Sequence, residues 1–296
     1  MAINNRHELV FIYDSRFANP NGDPLENDEL RMIHDKLYVT DVRLKRTIRD
    51  YWDQIGENVF VKEELKDNQD VKSIKDRLSD EGINDKKATK EDIQKFKEKF
   101  VDVRAFGSAI LTKITGPVQF NFGESMHDVD QVRVQGTTVF SSGESKGQGT
   151  FTEMFVVPYS IIAFHGIVNE KASSSTNFEE EDFNSLKNGL WDGTKNLLTR
   201  SKFEQMPRIL VDVKFKEGVN THIGELDKYI KFVPNNKIRD SKALNDISKG
   251  YFEFGEFVER VEDYKDKIDS IDIKIDKRAS IQNLESQEID LRVEKV

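Results

Sequence analysis

Residues 8–52 constrain the fold more than any other stretch. An apolar run, Leu9 to Tyr13, is too short for a helix, is rich in β-branched and aromatic residues, and stops at Asp14. It reads as a buried strand. Turn chemistry follows in Asn19-Pro20-Asn21-Gly22-Asp23-Pro24, so the strand leaves the core through a long, stiffened loop. Thr40 then fits a helix N-cap and Asp41 suits the positive helix end. Leu44, Ile48, Tyr51, Trp52 and Ile55 form an apolar stripe at helical spacing. Lys45 and Arg49 are four apart and share a face, with Arg43 and Arg46 adding charge on either side of the stripe.

The remaining elements follow from pattern. Residues 57–100 are charge-rich, with sparse apolar positions (Leu65, Val71, Ile74, Leu78, Ile93, Phe96), and read as a helical insertion lightly anchored to the core. Val101 to Ala105 alternates as a strand, and Val118 to Phe120 begins another after Gly116-Pro117. Val132 to Phe140 is answered by Phe151 to Phe155 across a polar, glycine-rich connection, predicting a projecting hairpin. The apolar run that follows, to Val168, predicts a central strand. Ser173 to Asn177 reads as a polar linker. A helix then carries Phe183, Leu186, Leu190, Leu197 and Leu198 on its buried face, with Gly189 and Gly193 allowing close approach to a sheet. Ile209, Val211, Val213 and Phe215 form a strand, residues 217–256 are irregular, and a helix around 257–268 precedes a strand at Ile271 to Ile275. The polar tail from Ala279 is expected to fray.

The order is strand, helix, strand, strand, helix, strand. It predicts an α+β fold of ferredoxin-like or RRM type, an antiparallel sheet with helices on one face and the other face free for RNA. The 296 residues are read as a single RRM-like domain carrying the helical insertion at 57–100, a hairpin at 125–155 and an irregular insertion at 217–256.

Composition bounds the function. With 36% hydrophobic residues and 20 Phe the chain buries a sizeable core. Its lack of Cys excludes disulfides and thiolate metal sites. Neither a secretion signal nor a membrane-length apolar run is present, so a cytoplasmic protein without membrane partners is expected. A net charge of −9 argues mildly against nucleic acid, although an acidic exterior coexists readily with a basic groove.

Several blocks in order carry a family likeness: FANPNGDPLEND and VTDVRLKRTIRDYW near the N-terminus, VDVRAFGSAI, TGPVQFNFGESMHDV, VVPYSIIAFHGIVN and LTRSKFEQMPRILVDV. Together they resemble the backbone subunit of type I CRISPR surveillance complexes (Cascade), most like the I-B and I-C branches, within the RAMP superfamily. The resemblance implies a non-catalytic protein that polymerises along a guide RNA (crRNA), presents its bases to target DNA and meets other Cascade subunits. It implies that Lys45, Arg46 and Arg49 line the guide groove, which an ordinary solvated helix face would otherwise explain. It extends RNA contact to Arg16, Asn19 and Asn21 in the loop after the first strand. Arg104, Phe106 and Gly107 are candidates too, against the plainer reading of a core Phe and an ion-paired Arg. The hairpin resembles the family's thumb, which wedges between nucleotides; Gln135, Thr137 and Thr138 are its RNA candidates and Val132 and Phe140 its wedge candidates. Arg200 and Lys202 close the second helix and are weaker candidates, because cations there also offset the helix dipole.

Enzymatic readings find little support. GESKGQGT lacks phosphate-loop spacing, and the five His are isolated, so neither a metal nor another cofactor is expected. Asp14 and Asp23 are the acids that would serve a RAMP endoribonuclease, the first alternative. An acidic scaffolding protein without nucleic acid is the second.

Overall fold

The computed structural model describes residues 2–137 and 151–296. The first strand, β1 (His7–Ala18), is buried at every position except Arg16 and Phe17. After it come β2 (Lys36–Val39), α1 (Asp41–Gln54), α2 (Ile74–Asp80), α3 (Lys90–Lys99), α4 (Val101–Phe106), β3 (Val118–Phe120) and β4 (Gly123–Ser125). A hairpin of β5 (Val132–Thr137) and β6 (Phe151–Val168) leads to α5 (Glu170–Thr176), α6 (Glu180–Lys195) and β7 (Gln205–Phe215). The last part holds β8 (Lys231–Pro234), β9 (Gly250–Glu253), α7 (Gly255–Glu262), β10 (Ile268–Ile275), β11 (Ile281–Gln282) and β12 (Leu291–Lys295).

The main sheet runs β12–β10–β7–β1–β6–β4–β2, ending at the short strand Met32–Ile33, and β3 and β5 pair with other stretches of β6. These pairings are antiparallel except β10 with β12. Thr40 caps α1 as expected, its side chain accepting from the Arg43 N–H. The apolar stripe of α1 meets α6 over one sheet face, where Leu9, Phe11 and Tyr13 join Leu44, Ile48, Trp52, Phe183, Leu186 and Leu190.

The opposite face is not free. Val10, Ile12, Ile161, Val211 and Val213 lie under Phe232, Phe252, Phe254 and Phe257, carried by a small β8–β9–β11 sheet and α7. Continuous apolar runs in β1, β6 and β7 are what a sheet covered on both sides requires. A buried carboxylate pins the cover in place: Glu8 accepts from the backbone N–H groups of Ile223 and Gly224, each at 2.7 Å, and pairs with His165.

Other expectations are corrected. Residues 101–106 are helical, not a strand, because α4 lies between two cores: Val101, Ala105 and Phe106 enter the main one, and Val103 enters a cluster with Phe60, Leu78, Phe96 and Phe100. Burial on two sides mimics alternation. Residues 170–176 form α5 rather than a linker, since Ser173 and Thr176 are buried with their hydroxyls donating to carbonyls one turn earlier. The second helix ends at Lys195, leaving Leu198 70% exposed. Gly189 and Gly193 face α1 instead of the sheet; a Cβ on Gly193 would stand 2.9 Å from Tyr51 Cβ. Ile268 begins β10 rather than ending a helix, and the polar tail does not fray but adds β12 to the sheet edge by parallel pairing, with Leu291 and Val296 packed against the two cores.

Two outcomes follow. Gly193→Val forces α1 and α6 apart and is expected to cost about 1–3 kcal/mol in urea unfolding. The second concerns Asp212, 3% exposed, which pairs with His7 at 2.7 Å and Lys187 at 3.1 Å. Burial pushes this carboxyl up, but His7 and Lys187 outweigh it and hold it below the ordinary range. The folded state therefore binds that proton less tightly than the unfolded state. The stabilisation is full above about pH 4 and is lost as pH falls through the lowered value. Asp212→Asn should cost about 3–5 kcal/mol near neutrality, with the gap to wild type closing in acid, as read from urea midpoints across pH.

Candidate nucleic-acid interface

The loop leaving β1 is closed by its own side chains. Asn19 Nδ2 donates to the Asp28 carbonyl at 2.7 Å, and the Thr40 hydroxyl donates to Asn21 Oδ1 at 3.3 Å, tying loop to helix cap. Gly22 is required at the crossing, since a Cβ there would stand 2.9 Å from the Asp28 carbonyl oxygen. Asn19 also binds the segment after α6: its N–H donates to the Ser201 carbonyl at 2.6 Å, and its carbonyl accepts from Lys202 Nζ at 3.1 Å. Both asparagines are buried, and Asn19 Oδ1 and Asn21 Nδ2 have no partner among the described residues.

These contacts shape a cleft of about 440 Å³ lined by the loop, by Arg43 of α1, by Glu153, Met154 and Phe155 at the hairpin base, and by Arg200, Ser201 and Lys202. Its electrostatics are unusual. Among the described residues the Lys202 amine hydrogen-bonds the Asn19 carbonyl and the Ser201 hydroxyl, and Arg43 donates to Thr47 Oγ1. Neither has a carboxylate within ion-pair distance among the described residues. Burial pushes both cations below their ordinary pKa, against upward pulls from Asp50 and Tyr13 on Arg43 and from Asp28 on Lys202, which nearby Arg43 lowers further. Two partly buried cations without an ion-paired carboxylate, beside the unpartnered donor Asn21 Nδ2, offer donors to an anion with several acceptor oxygens, while Asn19 Oδ1 and the lining acids Asp28 and Glu153 oppose it.

The other predicted residues are spread around this cleft. Lys45 is paired with Asp41 at 2.9 Å, Arg46 with Asp50 at 2.7 Å, and Arg49 with Asp102 at 2.9 Å. Asp102 is fully buried and also accepts from the backbone N–H groups of Phe60 and Val61, so Arg49 serves the attachment of residues 59–61. Arg104 clasps Asp182 through two hydrogen bonds, and Phe106 is 9% exposed beneath Lys45 and Arg49. Gly107, at φ 79°, lets the backbone approach Ile114. Arg16 is exposed. In the hairpin, Val132 and Gln135 are exposed on β5 and Thr137 ends that strand. Thr138 and Phe140 lie outside the described residues. Thus Asn19, Asn21, Arg200 and Lys202 converge, while Lys45, Arg46, Arg49 and Arg104 lie elsewhere in ion pairs.

Arg43 is the residue that sequence reasoning under-weighted. The signal was its place in the first turn of α1, beside the cap that the loop touches; spacing alone did not say which flank of the stripe faced that loop.

The acids considered for cleavage are also engaged. Asp14 is buried, accepts from Tyr159 Oη at 2.8 Å and pairs with Arg208 at 3.0 Å, and Asp23 pairs with Arg31 at 2.9 Å. Among the described residues no group of three or more His, Asp or Glu is placed to hold a metal, and no helix is long and apolar enough to cross a membrane.

Comparison with known proteins agrees with this architecture. The family model described as CRISPR-associated protein Cas7 matches residues 5–250. A curated CRISPR-associated protein Cas7 of Haloferax volcanii is 32% identical over 309 residues, covering 94% of this chain and 88% of its own. Two solved structures share the fold at 11% identity. A chain of a "CRISPR RNA-guided surveillance complex, pre-nicking" has a TM-score of 0.58, with 98% of this chain and 96% of that chain covered. A chain of a "CRISPR RNA-guided surveillance complex" has a TM-score of 0.56, with 97% and 94% covered. The chain therefore belongs to the CRISPR-associated Cas7 family.

Proposed function

We propose that this chain is the crRNA-binding backbone subunit of a type I Cascade complex, of the I-B/I-C kind, and that it is not an enzyme. Its core is of RRM type, in keeping with the spatial order β7–β1–β6–β4, and the segments at 57–100, 125–155 and 217–256 are insertions on it. Copies assemble head to tail along the guide in the cytoplasm, joined by other Cascade subunits. A contact of this kind need not close, so the RNA sets the length. Sequence is read by pairing of the guide with target DNA, and the protein supplies phosphate contacts and shape.

The observation that carries this reading is the pair of partly buried cations, Arg43 and Lys202, that share one cleft and have no ion-paired carboxylate among the described residues. Because the second sheet face is covered, RNA runs along the rim formed by the β1 exit loop, the start of α1, the hairpin and the segment at 200–202. Arg200, Asn19 and Asn21 belong to that path. Gln135, Thr137, Thr138, Val132 and Phe140 belong to the hairpin that crosses it, and Arg16 lies at its margin. Lys45 and Arg46 are secondary contacts, available where phosphate displaces Asp41 or Asp50. Arg49, Arg104, Phe106 and Gly107 act through the shape of the groove wall.

The test is the salt dependence of single-stranded RNA binding. Each phosphate contact removed should flatten the slope of log affinity against log salt by about 0.7. Lys202→Met and Arg43→Gln are expected to do so, with affinity lost across all sequences alike. The folded state binds the Lys202 proton less tightly than the unfolded state, so the charge opposes folding at neutral pH and that penalty fades only as pH rises. Lys202→Met removes that penalty together with the hydrogen bond to the Asn19 carbonyl, so the melting temperature should change little at neutral pH while RNA binding falls. An unchanged salt slope in both variants would sink the assignment.

A further inference from the structure

One exposed residue departs from both packing and backbone preference. Phe17 follows Arg16 at the end of β1, is 66% exposed, and has φ 47°, a left-handed conformation that an aromatic side chain rarely takes. Its surroundings impose the geometry. Arg16 and Ala18 pair with Tyr159 and Val157, which puts Phe17 opposite Pro158, a residue without an N–H to give. On the other side the Arg16 N–H donates to the Glu204 carbonyl at 3.2 Å, and Glu204 is also left-handed, at φ 61°. Two strands thus kink together where β1 ends. The consequence is a Phe ring turned to solvent, with the Arg16 guanidinium 5.8 Å from its centroid. Phe203, 54% exposed, stands on the opposing segment between Lys202 and Glu204.

The placement relates this ring to the cationic cleft. Asn19, two residues after Phe17, and Lys202, one residue before Phe203, both line the cleft and are joined to each other by a hydrogen bond. An exposed aromatic beside partly buried cations has the composition of a single-strand site, where a charged groove follows the backbone and an aromatic face takes a base.

Resting on the RNA-binding reading above, we propose that Phe17 is a stacking platform for one base of the bound strand, held in its left-handed conformation by the paired kink and backed by Arg16. This is a positioning role beside the cleft, separate from the hairpin wedge. The base is taken by its face, so the platform is indifferent to sequence.

The experiment compares wild type, Phe17→Gly and Phe17→Trp. Glycine accepts a positive φ without strain, so Phe17→Gly keeps the backbone and removes only the ring. The probe is a short single-stranded RNA with one 2-aminopurine placed successively along it, titrated at several salt concentrations. Wild type is expected to quench the probe at one position. Phe17→Gly should lose that quenching and weaken binding by about 5- to 100-fold with an unchanged salt slope, and Phe17→Trp should restore both. Its melting temperature should not fall. Phe17→Gly that binds and quenches as wild type would overturn the platform while leaving the RNA reading standing. Normal binding of the short RNA with failed assembly on a long one would assign the ring to contact between copies and overturn it too. Wild type that ignores RNA at low salt would remove both readings.

Discussion

The first strand is hydrogen-bonded on both edges and buried on both faces, and the remainder of the molecule is arranged to make that so. Its odd-numbered residues Leu9, Phe11 and Tyr13 face α1 and α6, and Val10 and Ile12 face the small sheet and α7. A strand enclosed in this way has no free face for function. What it can offer is its end. There the chain kinks at Phe17, folds back through Asn19 and Asn21, and enters α1 at Thr40, bringing Arg43 toward the segment that follows the second helix.

The same enclosure explains why charge is arranged as it is. Most cations of α1 are neutralised by carboxylates within the fold: Asp41, Asp50 and Asp102 hold Lys45, Arg46 and Arg49. Arg104 and Arg208 are likewise held by Asp182 and Asp14. Against that background Arg43 and Lys202 stand out because the fold partly desolvates them and, among the described residues, gives them no ion-paired carboxylate, only the more distant Asp50 and Asp28. Holding such groups away from water without an ion-pair partner disfavours the free protein, and an anion bound in the cleft would offset that cost. A net charge of −9 is compatible with a cleft in which Arg43, Arg200 and Lys202 outnumber Asp28 and Glu153.

Much of this was legible in the sequence where one period governs one environment. The apolar run of β1, the turn residues behind it, the Thr40 cap and Leu44, Ile48 and Trp52 of the α1 stripe obey local rules, although β1 runs past Asp14 to Ala18 and Ile55 lies beyond the helix end, 52% exposed. Phe183, Leu186 and Leu190 place the second helix for the same reason. Reading failed where a segment meets two environments. Val101 to Phe106 alternates because it packs between two cores, and Ser173 and Thr176 are polar yet buried because helix carbonyls satisfy them. The covered second face was missed because its cover, at 217–284, is built from scattered aromatics such as Phe232, Phe252 and Phe254 without a period. In the site, Asn19, Asn21, Arg200 and Lys202 were drawn from separate blocks of family likeness and meet in space. Arg43 was passed over because a helical sequence does not reveal which flank a distant loop will touch.

The measurement that tests the central claim most directly is a structure of this protein bound to a single-stranded RNA. The account places one phosphate between Arg43 and Lys202 Nζ, with oxygens within hydrogen-bond distance of both. A strand running instead over Lys45, Arg46 and Arg49, with no phosphate at the cleft, would contradict it.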